Sequence, residues 1–219
     1  MIPIVSIVGK SGSGKTTLLE QVIGRLTGKG HRVGTIKHDA HDFEIDYEGK
    51  DSWRHKQAGA STVVLASRNK VAVVKDVKKE WSLERLALAF ADDHDIIITE
   101  GFKQSPFPKI EVIRKACSLK PLCSKDKTLI AIATDIKARG KLPRFDINDI
   151  EGIADFIEER FLHPPHRPPH GGSATLVVDG KVVTLKPFIE TLLKESLRGI
   201  IKSLKGCANP REIEVKIKK

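Results

Sequence analysis

A three-layer α/β/α fold around a mainly parallel sheet is predicted by three features of this 219-residue sequence. An apolar, β-branched stretch from Ile2 to Val8 runs straight into Gly9-Lys10-Ser11-Gly12-Ser13-Gly14-Lys15-Thr16. Behind that loop, Leu18, Leu19, Val22, Ile23 and Leu26 recur at the spacing of one helix face. Strand-like and helix-like segments then alternate to about residue 161 and include a second buried strand, Asp95 to Gly101, that ends in an acid.

The loop fits the pattern G-x-x-x-x-G-K-[ST] at every fixed position. A strand, a glycine loop and a helix start in that order present backbone N–H groups and a positive helix end to an anion. Gly9, Gly12 and Gly14 allow backbone angles that a side chain would block and let the chain approach phosphates closely. Lys15 supplies a mobile charge for the β- and γ-phosphates, and the Thr16 hydroxyl is an oxygen ligand of the kind Mg²⁺ prefers. The nucleotide contacts are therefore expected from Gly9, Lys10, Ser11, Gly12, Ser13, Gly14, Lys15, Thr16 and Thr17, in a P-loop NTPase core.

Composition bounds the function classes. Hydrophobic residues make up 40% and charged residues 30%, as in ordinary globular proteins. No apolar run approaches the roughly 20 residues of a membrane helix. The chain opens on its first strand, with no basic region and cleavage site, so no secretory signal is expected. Three cysteines, Cys117, Cys123 and Cys207, beside a nucleotide loop suggest a reducing cytoplasm; Cys117 and Cys123 read as ordinary thiols. The net charge of +10 suits anionic ligands, while 5% aromatic content offers little for base stacking, which does not favour a nucleic-acid role.

After the first helix, Gly28-Lys29-Gly30 supplies a stop, and His31 to Lys37 reads as the second strand. His38 to Asp46 is a polar loop crowded with acids and histidines, where an α/β sheet binds ligands. Lys50 to Gly59 reads as a short helix. Ser61 to Ser67 and Lys70 to Lys75 read as a hairpin turning at Arg68-Asn69. Ser82 caps a helix with Leu83, Leu86, Ala87 and Phe90 as its inner face. Glu100, at the end of the Asp95–Gly101 strand, stands where an NTPase positions Mg²⁺ and its waters. Lys109 to Arg114 and Leu129 to Thr134 read as further strands. Asp146 to Phe161 reads as a helix started by Asn148 or Asp149, with Ile150, Ile153, Ala154, Ile157 and Phe161 facing inward.

Domain boundaries follow from composition. Residues 1–161 form the nucleotide-binding domain. Residues 162–172, rich in Pro, His and Gly, read as an extended linker; His163, His166 and His170, with Cys207, raise a metal site, but nothing in a proline-rich stretch fixes their geometry. Residues 173–219 carry ten Lys/Arg and five Asp/Glu. They read as a small basic α+β unit: a hairpin turning at Asp179-Gly180, a helix opened by Pro187 whose apolar face carries Phe188, Leu192, Leu193, Leu197, Ile200, Ile201 and Leu204, and a last strand from Glu212 to Ile217. So thin a core is expected to dock on the main domain or on a second subunit.

Over about residues 3–161 the chain resembles the MobB family of molybdopterin-guanine dinucleotide biosynthesis proteins. The likeness rests on the loop at Gly9–Thr16, on Gly34-Thr35-Ile36-Lys37-His38 with His41-Asp42 and Asp46, and on Gly49-Lys50-Asp51-Ser52. It continues through Gln57-Ala58-Gly59-Ala60, Glu100-Gly101-Phe102-Lys103, Lys109-Ile110 and Asp146-Ile147-Asn148-Asp149-Ile150-Glu151-Gly152. The resemblance implies a GTP-binding protein with weak GTPase activity, usually a homodimer, that assists the guanylyltransferase attaching GMP to molybdopterin. It does not extend to residues 173–219.

On that footing Lys15, Glu100 and Asp42 are the catalytic candidates: Lys15 neutralises charge as the β–γ bond breaks, Thr16 and Glu100 serve Mg²⁺, and Asp42 is favoured over Asp39 and Asp46 for the magnesium shell or the attacking water. Lys37, His38, Lys50, Arg54 and Lys103 are candidates for an anion pocket holding the phosphate of molybdopterin. No N-K-x-D is present, since Asn69-Lys70 is followed by Val71-Ala72; Thr134-Asp135 is a possible base contact, and guanine preference comes from the resemblance alone. Two alternatives remain open: a P-loop small-molecule kinase, and a non-catalytic, nucleotide-dependent adaptor for the guanylyltransferase.

Overall fold

In the computed structural model, residues 2–39, 46–91, 94–117, 119–137, 140–162, 174, 176–178, 181–183, 185–205, 210, 213 and 215 are described. The elements in chain order are β1 (Ile4–Gly9), α1 (Lys15–Gly28), β2 (Val33–Lys37), α2 (Asp51–Gln57), β3 (Thr62–Ala66), β4 (Val71–Lys75), α3 (Leu83–Phe90), β5 (Ile96–Glu100), β6 (Lys109–Ile113), β7 (Leu129–Thr134), β8 (Arg144–Asp146), α4 (Ile150–Ile157), β9 (Leu176–Val178), β10 (Lys181–Val183) and α5 (Pro187–Lys202). The chain divides into two compact units, residues 2–162 and 163–219.

The first unit is built on a six-stranded sheet in the order β2-β5-β1-β6-β7-β8, with every neighbouring pair parallel. β1 is buried at all six positions, as a strand covered on both faces must be. The pleat sends alternate residues to opposite layers. Val5, Ile7, Ile96, Ile98, Ile110 and Val112 face Leu18, Leu19, Val22 and Leu26 of α1 and Ile153, Ala154 and Ile157 of α4. On the other side Ile4 and Ile97 meet Leu83, Ala87 and Ala91 at α3, while Val8, Ile113, Leu129 and Ile132 close around Cys123. These are the three layers expected from the sequence.

The caps behave as their chemistry dictates. The Ser82 hydroxyl accepts from Arg85 N–H at the start of α3, and the Asp149 carboxylate accepts from Gly152 N–H at the start of α4. The α1–α4 contact is laced by ion pairs: Arg25 with Glu151, Lys29 with Asp155 and, at 2.6 Å, with Glu158. His31 Nε2 sits 2.8 Å from the other Glu158 oxygen. The His31 and Lys29 hydrogen bonds hold the Glu158 carboxyl down at about 2.

Several details depart from the sequence reading. Phe90 is not on the inner face of α3; it is 55% exposed and stacks on Trp81, so an aromatic surface contact replaces burial. The helix read as starting by Asn148 or Asp149 and reaching Phe161 is regular only over Ile150–Ile157 and ends in one wider turn, Glu158–Leu162. The three-residue β8 extends the sheet where no strand was read. Two charged side chains of β6 are buried inside it. Lys109 Nζ, with no exposed surface, donates to Thr128 Oγ1 at 2.5 Å and Ser105 O at 2.5 Å and pairs with Asp126 at 2.9 Å. Glu111 accepts from the backbone N–H of Leu122 at 2.5 Å and Cys123 at 3.1 Å. Each buried charge is thus matched, as burial demands.

β3 and β4 form a separate antiparallel hairpin, with Val64 opposite Val73. In the second unit, β9 and β10 form another, with Val177 opposite Val182, and Ala174 N–H donates to Glu190 of α5 at 3.2 Å. The apolar face read on α5 is largely outward: Phe188, Leu192, Ile200 and Leu204 are all at least half exposed. The last strand read at Glu212–Ile217 falls mostly outside the described residues. So do His163, His166, His170 and Cys207.

Candidate phosphate-binding site

The glycine loop leaves β1 between its two neighbours, β5 and β6, at the carboxyl edge of the sheet. This is where open parallel sheets bind ligands. The loop is pressed against β6: a Cβ on Gly9 would lie 2.6 Å from the Val112 carbonyl oxygen and 2.8 Å from Ser13 Oγ. Gly12 and Gly14 adopt φ of 73° and 85°, which favour glycine. Gly14 stands at the N-cap of α1 without a side chain to cap it, and the first turn carries no acid. The helix therefore offers its opening N–H groups and its positive end to an outside anion. Ser13 is buried, and its Oγ has no hydrogen-bond partner among the described residues.

Lys15 Nζ donates back to the Lys10 carbonyl at 2.9 Å, which holds the amine over the loop. Thr16, one position on, turns the other way and donates to both oxygens of Glu100, at 3.0 and 3.1 Å. The pleat explains the meeting. Ile96 and Ile98 face α1, so Glu100, two residues further on, leaves the end of β5 on the same side. Thr16 and Glu100 are thus in contact, while the Lys15 amine rests on the loop at Lys10. Ser11 and Thr17 are exposed beside them, as is Lys10.

Two of the five anion-pocket candidates are aligned with Glu100. Lys37 is its register partner on β2, and His38 N–H donates to the Glu100 carbonyl at 2.9 Å. The His38 ring leans on Phe102, with centroids 5.0 Å apart, and its Nε2 lies 2.9 Å from a Glu80 carboxylate oxygen. Gly101, at φ 94°, makes room for it: a Cβ there would lie 3.2 Å from His38 Cβ. Lys103 is exposed just beyond, in the loop after β5. Lys50 and Arg54 belong to α2 instead, and Arg54 pairs locally with Asp51 at 3.8 Å. Asp42 lies outside the described residues. Asp46 accepts from Tyr47 N–H at 3.1 Å, and Asp39 is exposed.

Two neighbours of the loop were not read from the sequence. The Arg114 guanidinium comes within 3.7 Å of a Cβ placed on Gly14 and is 3.9 Å from Asp135. Cys117 donates its thiol to the Gly12 carbonyl at 3.3 Å. Both follow β6, and only the strand order puts that end beside the loop. Asp135, read as a possible base contact, accepts from Lys115 N–H at 2.7 Å. Among the described residues no three His, Cys, Asp or Glu side chains gather to hold a metal. A cation at Thr16 and Glu100 would need ligand oxygens as well. Among the described residues no helix is long and apolar enough to cross a membrane.

A family model, Molybdopterin guanine dinucleotide synthesis protein B, matches residues 4–135, well over half the chain. The chain belongs to this family. Among MobB relatives, the Molybdopterin-guanine dinucleotide biosynthesis adapter protein of Haemophilus influenzae is 45% identical over 166 residues, 75% of this chain and 92% of that protein. The protein of the same name from Escherichia coli is 38% identical over 163 residues, 73% and 93% of the two chains. A crystal structure of molybdopterin-guanine biosynthesis protein B (mobB), 32% identical, superposes with a TM-score of 0.59 over 73% of this chain and 99% of that one. The MobB likeness covers the phosphate loop and the sheet behind it.

Proposed function

We propose that this chain binds GTP at the Gly9–Thr16 loop and serves, in the cytoplasm, as a homodimeric adapter in the assembly of molybdopterin guanine dinucleotide, with weak GTPase activity. The observation that carries the reading is the Thr16–Glu100 hydrogen bond, which joins the phosphate loop to an acid on the neighbouring strand. The pathway role is supported by the names of the relatives, and guanine preference by the family resemblance. The partner in this reading is the guanylyltransferase that attaches GMP to molybdopterin.

The donors present fit Mg²⁺: a hydroxyl and a carboxylate, both hard oxygen ligands, beside a loop shaped for phosphate. Thr16 and Glu100 are the residues that would hold it. Bound Mg²⁺ supplies charge neutralisation at the phosphate oxygens. The chain's own part is positional. The first-turn amides of α1 cradle the phosphates. Lys15 leaves the Lys10 carbonyl for the β- and γ-phosphate oxygens and offsets negative charge as water attacks the γ-phosphorus and GDP leaves with the bridging oxygen. Asp42 positions that water. Lys37, His38 and Lys103, with Lys50 and Arg54 from α2, attract the phosphate of molybdopterin. Dimer formation is supported by the β3–β4 hairpin, which exposes Val64, Val71 and Val73, since an isolated hairpin is marginal without cover.

Equilibrium titration of GTP into the protein and into Lys15→Ala tests the reading. The variant should lose nucleotide retention, and unchanged GTP affinity would overturn the assignment. The adapter name of the relatives favours a second reading, in which nucleotide supports partner binding and turnover is incidental. There, Glu100→Gln keeps guanylyltransferase binding while hydrolysis stops.

A further inference from the structure

Beside the phosphate loop a cleft opens between α1 and the carboxyl ends of β6 and β8. We propose that this cleft is the nucleobase subsite, with the carboxamides of Gln21 and Asn148 reading the hydrogen-bonding edge of the base and Arg114 covering its face. The proposal rests on the nucleoside triphosphate reading above and extends it to a part of the ligand that the loop does not contact.

The cleft is continuous with the loop. One wall is a single face of α1, on which Gly14, Thr17, Leu18 and Gln21 stand at helical spacing. The other wall is Arg114 with Ile147 and Asn148. The walls approach each other at Gly14, where a Cβ would lie 3.7 Å from Arg114 Nη1 and 4.0 Å from Ile147 Cδ1. Glycine there keeps the passage between loop and cleft open. Gln21 lies seven residues further on, about 10 Å along the helix axis, so the cleft runs away from the phosphates over the length of a nucleoside. It encloses about 90 Å³ and is otherwise open to solvent, a shallow cleft below the range of closed small-molecule pockets.

Its chemistry is that of a base pocket. Leu18 and Ile147 are apolar. Each carboxamide offers two donors and an acceptor, and among the described residues no hydrogen bond engages the side-chain amide of Gln21 or Asn148. Arg114 carries a planar guanidinium, which stacks on aromatic rings. Asp135 steadies it at 3.9 Å, and that acid is itself fixed by Lys115 N–H. Asn148 is set by its own backbone N–H donating to Asp146 at 2.9 Å, just ahead of the Asp149 cap. Thr134 is turned inward, accepting from Ile136 N–H at 3.1 Å. A bare polyphosphate could use only the N–H donors of two carboxamides, whereas the mixed edge of a base engages their donors and their acceptor together. This supplies a base reader in a chain without N-K-x-D.

Titration calorimetry with GTP, ATP and inorganic tripolyphosphate, each with Mg²⁺, tests the proposal on the wild type, Gln21→Ala and Asn148→Ala. Both positions are exposed, and thermal melts check that the variants fold. The wild type should bind at least one nucleotide about tenfold or more tighter than tripolyphosphate. Each variant should lose most of that margin, about tenfold, with tripolyphosphate binding unchanged. Variants that bind nucleotide as the wild type does overturn the base subsite. So does equal loss of tripolyphosphate binding, which marks a general structural effect. A wild type that binds tripolyphosphate as tightly as every nucleotide overturns the subsite and leaves the phosphate loop reading intact. A wild type that binds none of them overturns both.

Discussion

The Thr16 hydroxyl donates to both oxygens of Glu100, so the first turn of α1 and the end of β5 are tied through the two groups best suited to a hard cation. Glu100→Gln keeps the size of the side chain and an acceptor for Thr16 but removes the charge. GTP affinity measured with Mg²⁺ and with chelator should differ clearly in the wild type and by less than about threefold in the variant, since the carboxylate is what favours the divalent ion. A full Mg²⁺ effect in Glu100→Gln would show that this acid is not the magnesium residue.

Gly9 and Gly24 should respond to alanine with opposite signs. At Gly9 the new Cβ meets a backbone carbonyl at 2.6 Å, and neither the loop nor β6 can yield without breaking the pairing of Gly9 with Val112. Overpacking of this kind costs about 1–3 kcal/mol and displaces the phosphate cradle. At Gly24, inside α1, nothing lies within 4 Å, and alanine should stabilise by about 0.4–1 kcal/mol through helix propensity and a smaller unfolded-state entropy. Urea denaturation gives both signs, and GTP titration should show a loss for Gly9→Ala only.

Lys109 tests whether a satisfied buried charge matters to the fold. Its ammonium has three oxygen partners within 2.9 Å and no contact with solvent. Asp126, held at about 2 chiefly by hydrogen bonds from Thr128 and also by Lys109, remains ionised when the lysine is removed. Lys109→Ala should therefore cost about 3–5 kcal/mol, through the broken pair and the void left in the core. A loss below about 1 kcal/mol in chemical denaturation would mean that water takes over the role of the lysine.

What was legible in the sequence was what local chemistry controls. The β1–loop–α1 unit follows from hydrophobic period and glycine spacing, and the Ser82 and Asp149 caps follow from residue type alone. Glu100 was legible because a buried run ending in an acid needs no knowledge of its neighbours. Strand order was not legible, and with it went Arg114 and Cys117, which reach the loop only because β6 lies beside β1. β8 is three residues long with polar ends, too short for a period-2 pattern to register. Lys109 and Glu111 look like alternating surface charges in Lys109–Arg114, and only their partners, all but Ser105 lying 11 to 19 residues away, make burial tolerable. Phe90 has helical spacing for the core, yet Trp81 offers it a stacking partner outside.

Acid should loosen the α1–α4 clasp before any other mapped ion pair of that contact is needed to explain the loss. Glu158 has a folded-state value of about 2, against its usual 4.5, because His31 and then Lys29 hydrogen-bond its carboxylate. A depressed carboxyl contributes stability that is fully present above its unfolded value and is lost as pH falls toward the folded one. The window is therefore roughly pH 4.5 down to pH 2, and Asp126, lowered from 3.8 to about 2, adds to the same fall. In urea midpoints measured from pH 6 to pH 2.5, the wild type should weaken steadily below about pH 4.5. His31→Ala removes the largest cause of the Glu158 shift, so the variant should start less stable at pH 6 and lose less on acidification, its remaining slope coming from Asp126, from Asp95 and from the hold that Lys29 keeps on Glu158. Parallel pH profiles for the two proteins would show that the His31–Glu158 contact carries none of the acid sensitivity.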